Sequence, residues 1–201
     1  MVVIGVTGGV GTGKSTVSSM FKQLGARILD ADALAHEAME PGRLAWRQIV
    51  KTFGDDILNE DRTINRRLLA QQVFSDETAR KRLEAIVHPQ VLRRIKQELH
   101  RVRRRRAVRA VVLDVPLLAE AGAQELVDAL VVVTAEPSQQ RQRLARRRGW
   151  TEEDVARRAQ AQWDLSTKVA LADYVVDNRD GLERTRRQVR QIWHQVMSND
   201  R

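Results

Sequence analysis

Cysteine is absent from the chain, which excludes a disulfide framework, thiol catalysis and a Cys-based zinc site. Only eight aromatic residues occur, three Phe, four Trp and one Tyr. They do not interleave with the basic runs, which disfavours a stacking platform for single-stranded nucleic acid. Long apolar stretches are also missing. The longest, at 110–113 and 129–133, fall far short of the roughly 18–20 residues of a membrane span. No internal repeat or low-complexity linker is visible. The apolar stretch at 2–6 is too short for the core of a signal peptide and runs at once into glycines, so the expected location is the cytoplasm.

What is present describes a globular protein. The 201 residues are 42% hydrophobic and 30% charged, enough to bury a core in one domain with an appended lobe. The balance is basic: 35 Lys and Arg against 26 Asp and Glu give a net charge of +9. Such a surplus suggests a polyanionic partner such as a nucleotide or nucleic acid. Solvated helix faces explain many of the arginines equally well. The run Arg103–Arg106 closes a predicted helix, where cations complement the macrodipole.

Short apolar runs alternate with longer amphipathic stretches, the pattern of an α/β protein with a parallel sheet. Strands are predicted over 2–7, 26–29, 108–114, 129–134 and 174–177. They are near-continuously apolar, as strands covered on both faces are. Helices are predicted over 14–24, 138–148, 152–161 and 182–197. Between the second and third strands the pattern is helical throughout, over 33–39, 44–52, 66–74, 77–87 and 89–106, with Pro89 in a first turn. The expected organisation is a core of 1–31 and 107–201, carrying a lid at about 140–165, and a helical insertion at 32–106.

Gly8-Gly9-Val10-Gly11-Thr12-Gly13-Lys14-Ser15 matches the phosphate-loop pattern G-x-x-x-x-G-K-[ST] between a predicted strand and a predicted helix. Its glycines let backbone N–H groups turn toward phosphate oxygens, and the helix presents its positive end to the same anion. Lys14 reaches the β- and γ-phosphates, and the Ser15 hydroxyl is a Mg²⁺ ligand. Thr16 is expected to support the first helical turn rather than touch the metal. The motif specifies a nucleoside triphosphate, not a reaction.

Three further features narrow the chemistry. Asp30-Ala31-Asp32 follows the second strand, at the sheet edge where ligands bind. Its carboxylates can orient a hydroxyl, help hold Mg²⁺ or cap the next helix. Asp114 ends the third strand in the arrangement that holds Mg²⁺ beside a phosphate loop. The helix carrying Arg141, Arg143, Arg146, Arg147 and Arg148 resembles a lid that closes arginines over a triphosphate, although several must face solvent. Arg143 and Arg147 share one face.

Taken together, these motifs resemble the dephospho-coenzyme A kinase family. The resemblance extends to Arg66, Val73-Phe74-Ser75-Asp76, Leu83-Glu84 with His88-Pro89, and Asp114-Val115-Pro116-Leu117-Leu118 with Glu120. It continues through Gln140, Arg143, Arg147, Arg158 and Gln162 to Ala172-Asp173 and Asp177-Asn178, nearly end to end. It implies a five-stranded parallel phosphate-loop core flanked by helices, a helical insertion binding the acceptor, and a helical lid. It implies transfer of the ATP γ-phosphate, with Mg²⁺, to the ribose 3′-hydroxyl of dephospho-coenzyme A, the last step of coenzyme A synthesis.

On that resemblance Asp32, Lys14 and Arg143 are catalytic. Gly8, Gly9, Val10, Gly11, Thr12, Gly13, Lys14, Ser15, Thr16, Arg147 and Asn178 bind ATP, with Asn178 near the adenine. Asp32, His88 and Leu117 bind the acceptor, and Ser15 and Asp114 hold the metal. Partners are the two substrates, with neither a membrane nor nucleic acid expected. Three positions depart from the family pattern: Ala119 replaces a usual Phe, Asn65 a common Asp, and Gly181 comes one residue late. The competing readings are another small phosphate-loop kinase, acting on a nucleoside monophosphate or a polyol, and a nucleic-acid-dependent ATPase. The Asp pair, the His88-Pro89 junction and the helical insertion disfavour the first. The short chain, lacking a nucleic-acid reader, disfavours the second.

Overall fold

The computed structural model describes residues 1–105, 107–115, 124–148 and 163–198. They divide into two compact units: Met1–Asp30 with Leu99–Arg201, and Ala31–Glu98.

The first unit is built on β1 (Val2–Gly8), β2 (Arg27–Asp30), β3 (Ala110–Asp114), β4 (Ala129–Thr134) and β5 (Tyr174–Asp177). The order is β2-β3-β1-β4-β5 and every pair is parallel. All seven residues of β1 are buried, because neighbouring strands flank it and both sheet faces are covered. This accounts for its unbroken apolar sequence. At the edge, β5 leaves Val175 43% exposed. Two aspartates start strands: Asp128 Oδ2 accepts from Val3 N and Asp173 Oδ2 from Leu130 N, each at 2.7 Å.

Two helices of this unit, α1 (Lys14–Gln23) and α8 (Leu182–Ser198), bury apolar stripes. Val17, Met20 and Phe21 form one stripe of α1; Val189, Ile192 and Val196 form one of α8. The stripes join the same core, where the Phe21 and Trp193 rings lie 6.4 Å apart. Truncating the fully buried Phe21 to Ala would cost about 3–5 kcal/mol. The unit also holds α6 (Pro137–Arg148) and α7 (Leu165–Ala170). The short α7 has no counterpart in the sequence expectations, since six residues carry too little periodicity to register.

The second unit contains α2 (Ala31–Ala38), α3 (Leu44–Phe53), α4 (Arg66–Ser75) and most of α5 (Glu77–Arg104), which crosses the unit boundary. Between α3 and α4 a tight turn is closed by the Leu58–Ile64 bridge, with Arg62 at φ 66°. Asn65 caps α4, its side chain accepting from Leu68 N at 3.2 Å. An asparagine carries no charge for a salt bridge, but its side-chain oxygen serves as a helix cap.

One expectation fails here. The sequence predicts two helices meeting at Pro89, but α5 is one 28-residue helix with Pro89 inside it. Inside a helix proline loses its own N–H bond, here to the carbonyl of Ala85, and its ring crowds that carbonyl, a cost the rest of the 28-residue helix outweighs. Both residues are exposed, so water can satisfy that carbonyl.

Candidate active site

The carboxyl ends of the five strands gather Gly8, Asp30, Asp114, Thr134 and Asp177 along one edge of the sheet. Here the chain leaves β1 into the phosphate loop. Gly8 has φ 149°, and a side-chain carbon there would strike the Val133 carbonyl oxygen. Gly13 has φ 96°, and a carbon there would strike Asn178 Nδ2. Only glycine allows both the left-handed backbone and the close approach. Gly13 is the N-cap of α1 and no side chain caps that helix; the start of a helix favours an anion.

Lys14 folds back across the loop, its Nζ donating to the Gly8 and Gly9 carbonyls at 3.0 and 3.1 Å. The ammonium is thereby held at the loop. The next residue, Ser15, is exposed at the start of α1. Thr12 is fully buried, with its hydroxyl donating to Gly9 O at 2.9 Å.

The Thr12 carbonyl receives two side-chain donors, Asn178 Nδ2 at 2.8 Å and Arg143 Nη1 at 3.1 Å. Arg143 Nη2 also donates to the Asn178 carbonyl at 3.0 Å. The sequence-predicted residues Arg143 and Asn178 therefore meet at the phosphate loop, from α6 and the end of β5. Gln140 Nε2 donates to Ala135 O at 2.9 Å, tying α6 to the end of β4. Beyond Asn178, Arg179 pairs with Asp177 at 2.8 Å and with Glu136 at 3.1 Å. That guanidinium holds the Asp177 carboxyl below the usual carboxylate range.

Asp114 sits beside Val6 and Asp30 in the strand register. Its Oδ2 accepts from Ser18 Oγ of α1 at 2.8 Å, so the carboxylate leans to the side of the sheet carrying the loop's helix.

In the helical unit Asp32 is exposed in the first turn of α2 and His88 is half-buried on α5. Several predicted features lie wholly or partly outside the described residues, among them Arg106, Pro116, Leu118, Glu120 and the side chains of Phe74, Ser75, Arg146 and Arg148. Outside them too are Leu117, Ala119, the side chain of Arg147, and 149–162 of the expected lid with Arg158, Gln162 and the predicted helix at 152–161.

The dephospho-CoA kinase family model matches residues 2–184. The chain belongs to the dephospho-CoA kinase family. A dephospho-CoA kinase of Geobacter metallireducens is 45% identical over 193 residues, covering 96% of each chain. That of Geobacillus kaustophilus is 44% identical over 192 residues, covering 96% of this chain and 95% of its own. A crystal structure of a Thermus thermophilus protein superposes with a TM-score of 0.83 at 32% identity, covering 96% of each chain.

Sequence reasoning missed Ser18, Thr185 and Gln188. Thr185 left a signal: it occupies the buried stripe of α8 one turn before Val189, where an apolar residue is the rule. A polar residue at such a position implies a specific partner.

Proposed function

We propose that this member of the dephospho-CoA kinase family transfers the γ-phosphoryl group of ATP to the ribose 3′-hydroxyl of dephospho-coenzyme A, giving coenzyme A and ADP. The observation that carries the reading is the phosphate loop at the carboxyl edge of the parallel sheet, with Lys14 drawn across it.

The phosphates of ATP lie against the loop backbone from Gly8 to Thr16, and the ammonium of Lys14 transfers from the Gly8 and Gly9 carbonyls to phosphate oxygens. Those carbonyls hold it where charge develops, so little reorganisation remains at the moment of transfer. Arg143 uses two of its five N–H donors on the carbonyls of Thr12 and Asn178. The others serve the transferring group, with Arg147 as a second lid cation. Asn178 marks the adenine side of the nucleotide.

The Asp32 carboxylate orients the 3′-hydroxyl, with His88 and Leu117 on the acceptor. The 3′-oxygen bonds to the γ-phosphorus as the bond from phosphorus to the β,γ-bridging oxygen breaks. That electron pair leaves with ADP, and the hydroxyl proton passes late to Asp32.

The oxygen donors of exposed Ser15 and half-exposed Asp114 suit Mg²⁺, which takes one or two protein oxygens besides water and phosphate. Bound there, it would neutralise charge on the β- and γ-phosphates. No helix among the described residues is long and apolar enough to cross a membrane, and the proposed place of work is the cytoplasm.

The test is a coupled assay of ADP release. Release that depends on dephospho-coenzyme A supports the reading. Release that ignores it, but responds to a nucleoside monophosphate, a polyol or nucleic acid, overturns it.

A further inference from the structure

We infer that Thr185 of α8 is a positioning residue for nucleotide binding: its hydroxyl anchors the Asn178 amide, and that amide sets the aim of the Thr12–Gly13 peptide in the phosphate loop. The inference rests on the nucleotide-binding reading above and names a residue outside the loop that tunes it.

The chain of contacts is short and dry. Thr185 Oγ1 donates to Asn178 Oδ1 at 3.0 Å, and Asn178 Nδ2 donates to Thr12 O at 2.8 Å. Thr12 and Thr185 are fully buried and Asn178 is 5% exposed. An amide has one donating and one accepting end. Here each end meets the matching partner, and a flipped amide would set oxygen against the Thr12 carbonyl oxygen. Without the Thr185 hydroxyl, Asn178 Oδ1 becomes a buried acceptor with that bond lost, a costly state that moving the side chain relieves.

Asn178 is otherwise well secured. Its own N–H donates to Thr134 O at 2.9 Å. One turn along α8 from Thr185, Gln188 accepts from Asp177 N and donates to Asp177 O, both at 2.9 Å. With backbone fixed on both sides, the amide orientation is what Thr185 adds.

The consequence falls on the loop. In a planar trans peptide the N–H points opposite to the carbonyl. A Thr12 carbonyl held toward Asn178 therefore aims the Gly13 N–H away from Asn178. Gly13 is itself the N-cap that opens α1 without a side-chain cap, and the start of a helix is where an anion gains. The second donor on the same carbonyl, Arg143, also bonds Asn178 O. That second bond is to fixed backbone, so the support of the Thr12 carbonyl that Thr185 governs is the Asn178 amide.

The experiment compares Thr185→Val, which keeps the shape and removes the hydroxyl, with Thr185→Ser, which keeps the hydroxyl. Steady-state kinetics are measured separately for ATP and dephospho-coenzyme A, and ADP binding by calorimetry. The valine variant is expected to raise KM for ATP and weaken ADP binding about tenfold, the size of one buried hydrogen bond. KM for dephospho-coenzyme A should stay unchanged, and serine should restore the ATP value. Equal losses toward both substrates, no loss, or failure of serine to rescue overturns the inference. If valine prevents folding, Thr185→Ala is read by the same ratio. A wild-type chain that binds no ADP would instead overturn the nucleotide reading itself.

Discussion

Polar side chains around the phosphate loop and on the outer surface of the helical unit are held in opposite ways. In the first, Thr12, Asn178 and Thr185 lie in the interior and bond one another across the loop, β5 and α8. In the second, Asp32 is exposed, and Arg43–Glu37, Arg94–Glu37 and Lys81–Glu77 are surface ion pairs at 3.5, 3.5 and 3.0 Å. Buried bonds specify one geometry, because breaking any strands a desolvated group. Solvated pairs of the second kind contribute about 0–1 kcal/mol and specify little. On the proposed reading, the nucleotide half of the reaction is prebuilt by the fold. The acceptor half depends on individual side chains.

The sharpest way to break that comparison is to remove one charge from each half. Asp32→Asn keeps size and an acceptor but loses the base. Transfer should fall by roughly 10²–10⁴-fold, the range of a general base, with ADP binding by calorimetry unchanged. Lys14→Ala should lower transfer by roughly 10²–10³-fold and weaken ADP binding as well. Neither should lower the thermal midpoint appreciably, since one side chain is exposed and the other lies on the loop surface. Weakened ADP binding in the aspartate variant, or near-normal turnover in either, would erase the assigned division of labour.

A smaller but more telling effect is expected at Gly13. Alanine there would carry φ 96° and press its methyl on Asn178 Nδ2. The backbone strain alone is about 1–3 kcal/mol. Gly13→Ala should therefore lower the midpoint in thermal unfolding and raise KM for ATP together, in contrast to Lys14→Ala. An alanine variant as stable as wild type would mean that the loop is looser than its buried partners imply.

The sheet and the loop were legible because their causes are local. Continuous apolar runs reveal buried parallel strands, and glycine, lysine and serine at fixed spacing reveal the loop. Asp114 and Arg143 could be found as residue types in the right place, but not their partners. The link from Asp114 to Ser18 spans 96 positions and that from Asn178 to Thr12 spans 166, beyond any periodicity. Pro89 misled for a related reason. A proline inside a helix is costly but not forbidden, and whether the rest of a long helix outweighs that cost is not written in the local sequence. The resemblance supplied Asn178 as a site residue, whereas its contact with Thr185 came only from the fold.

The smallest expected effect lies at the margin between the two kinds of polar group, where Arg179 clasps Asp177 at the end of β5. Asp177 is partly buried, whereas Arg179 is 53% exposed along its side chain. Hydrogen bonding from Arg179, more than the attraction between charges, holds the Asp177 carboxyl low despite the opposing effect of burial. A carboxyl held below its unfolded value favours folding above that value, about 4. The contribution is lost as pH falls through the depressed folded value. Arg179→Gln should thus lower the midpoint slightly at pH 7, and equally at pH 5, with the difference from wild type closing only below about pH 4. Because solvent reaches the pair, about 1 M salt should also shrink the difference. A difference that survives both acid and salt would show that Arg179 acts through packing, since its pair with Glu136 is as open to protonation and screening as its pair with Asp177. The end of β5 would then belong with the buried network rather than with the surface pairs.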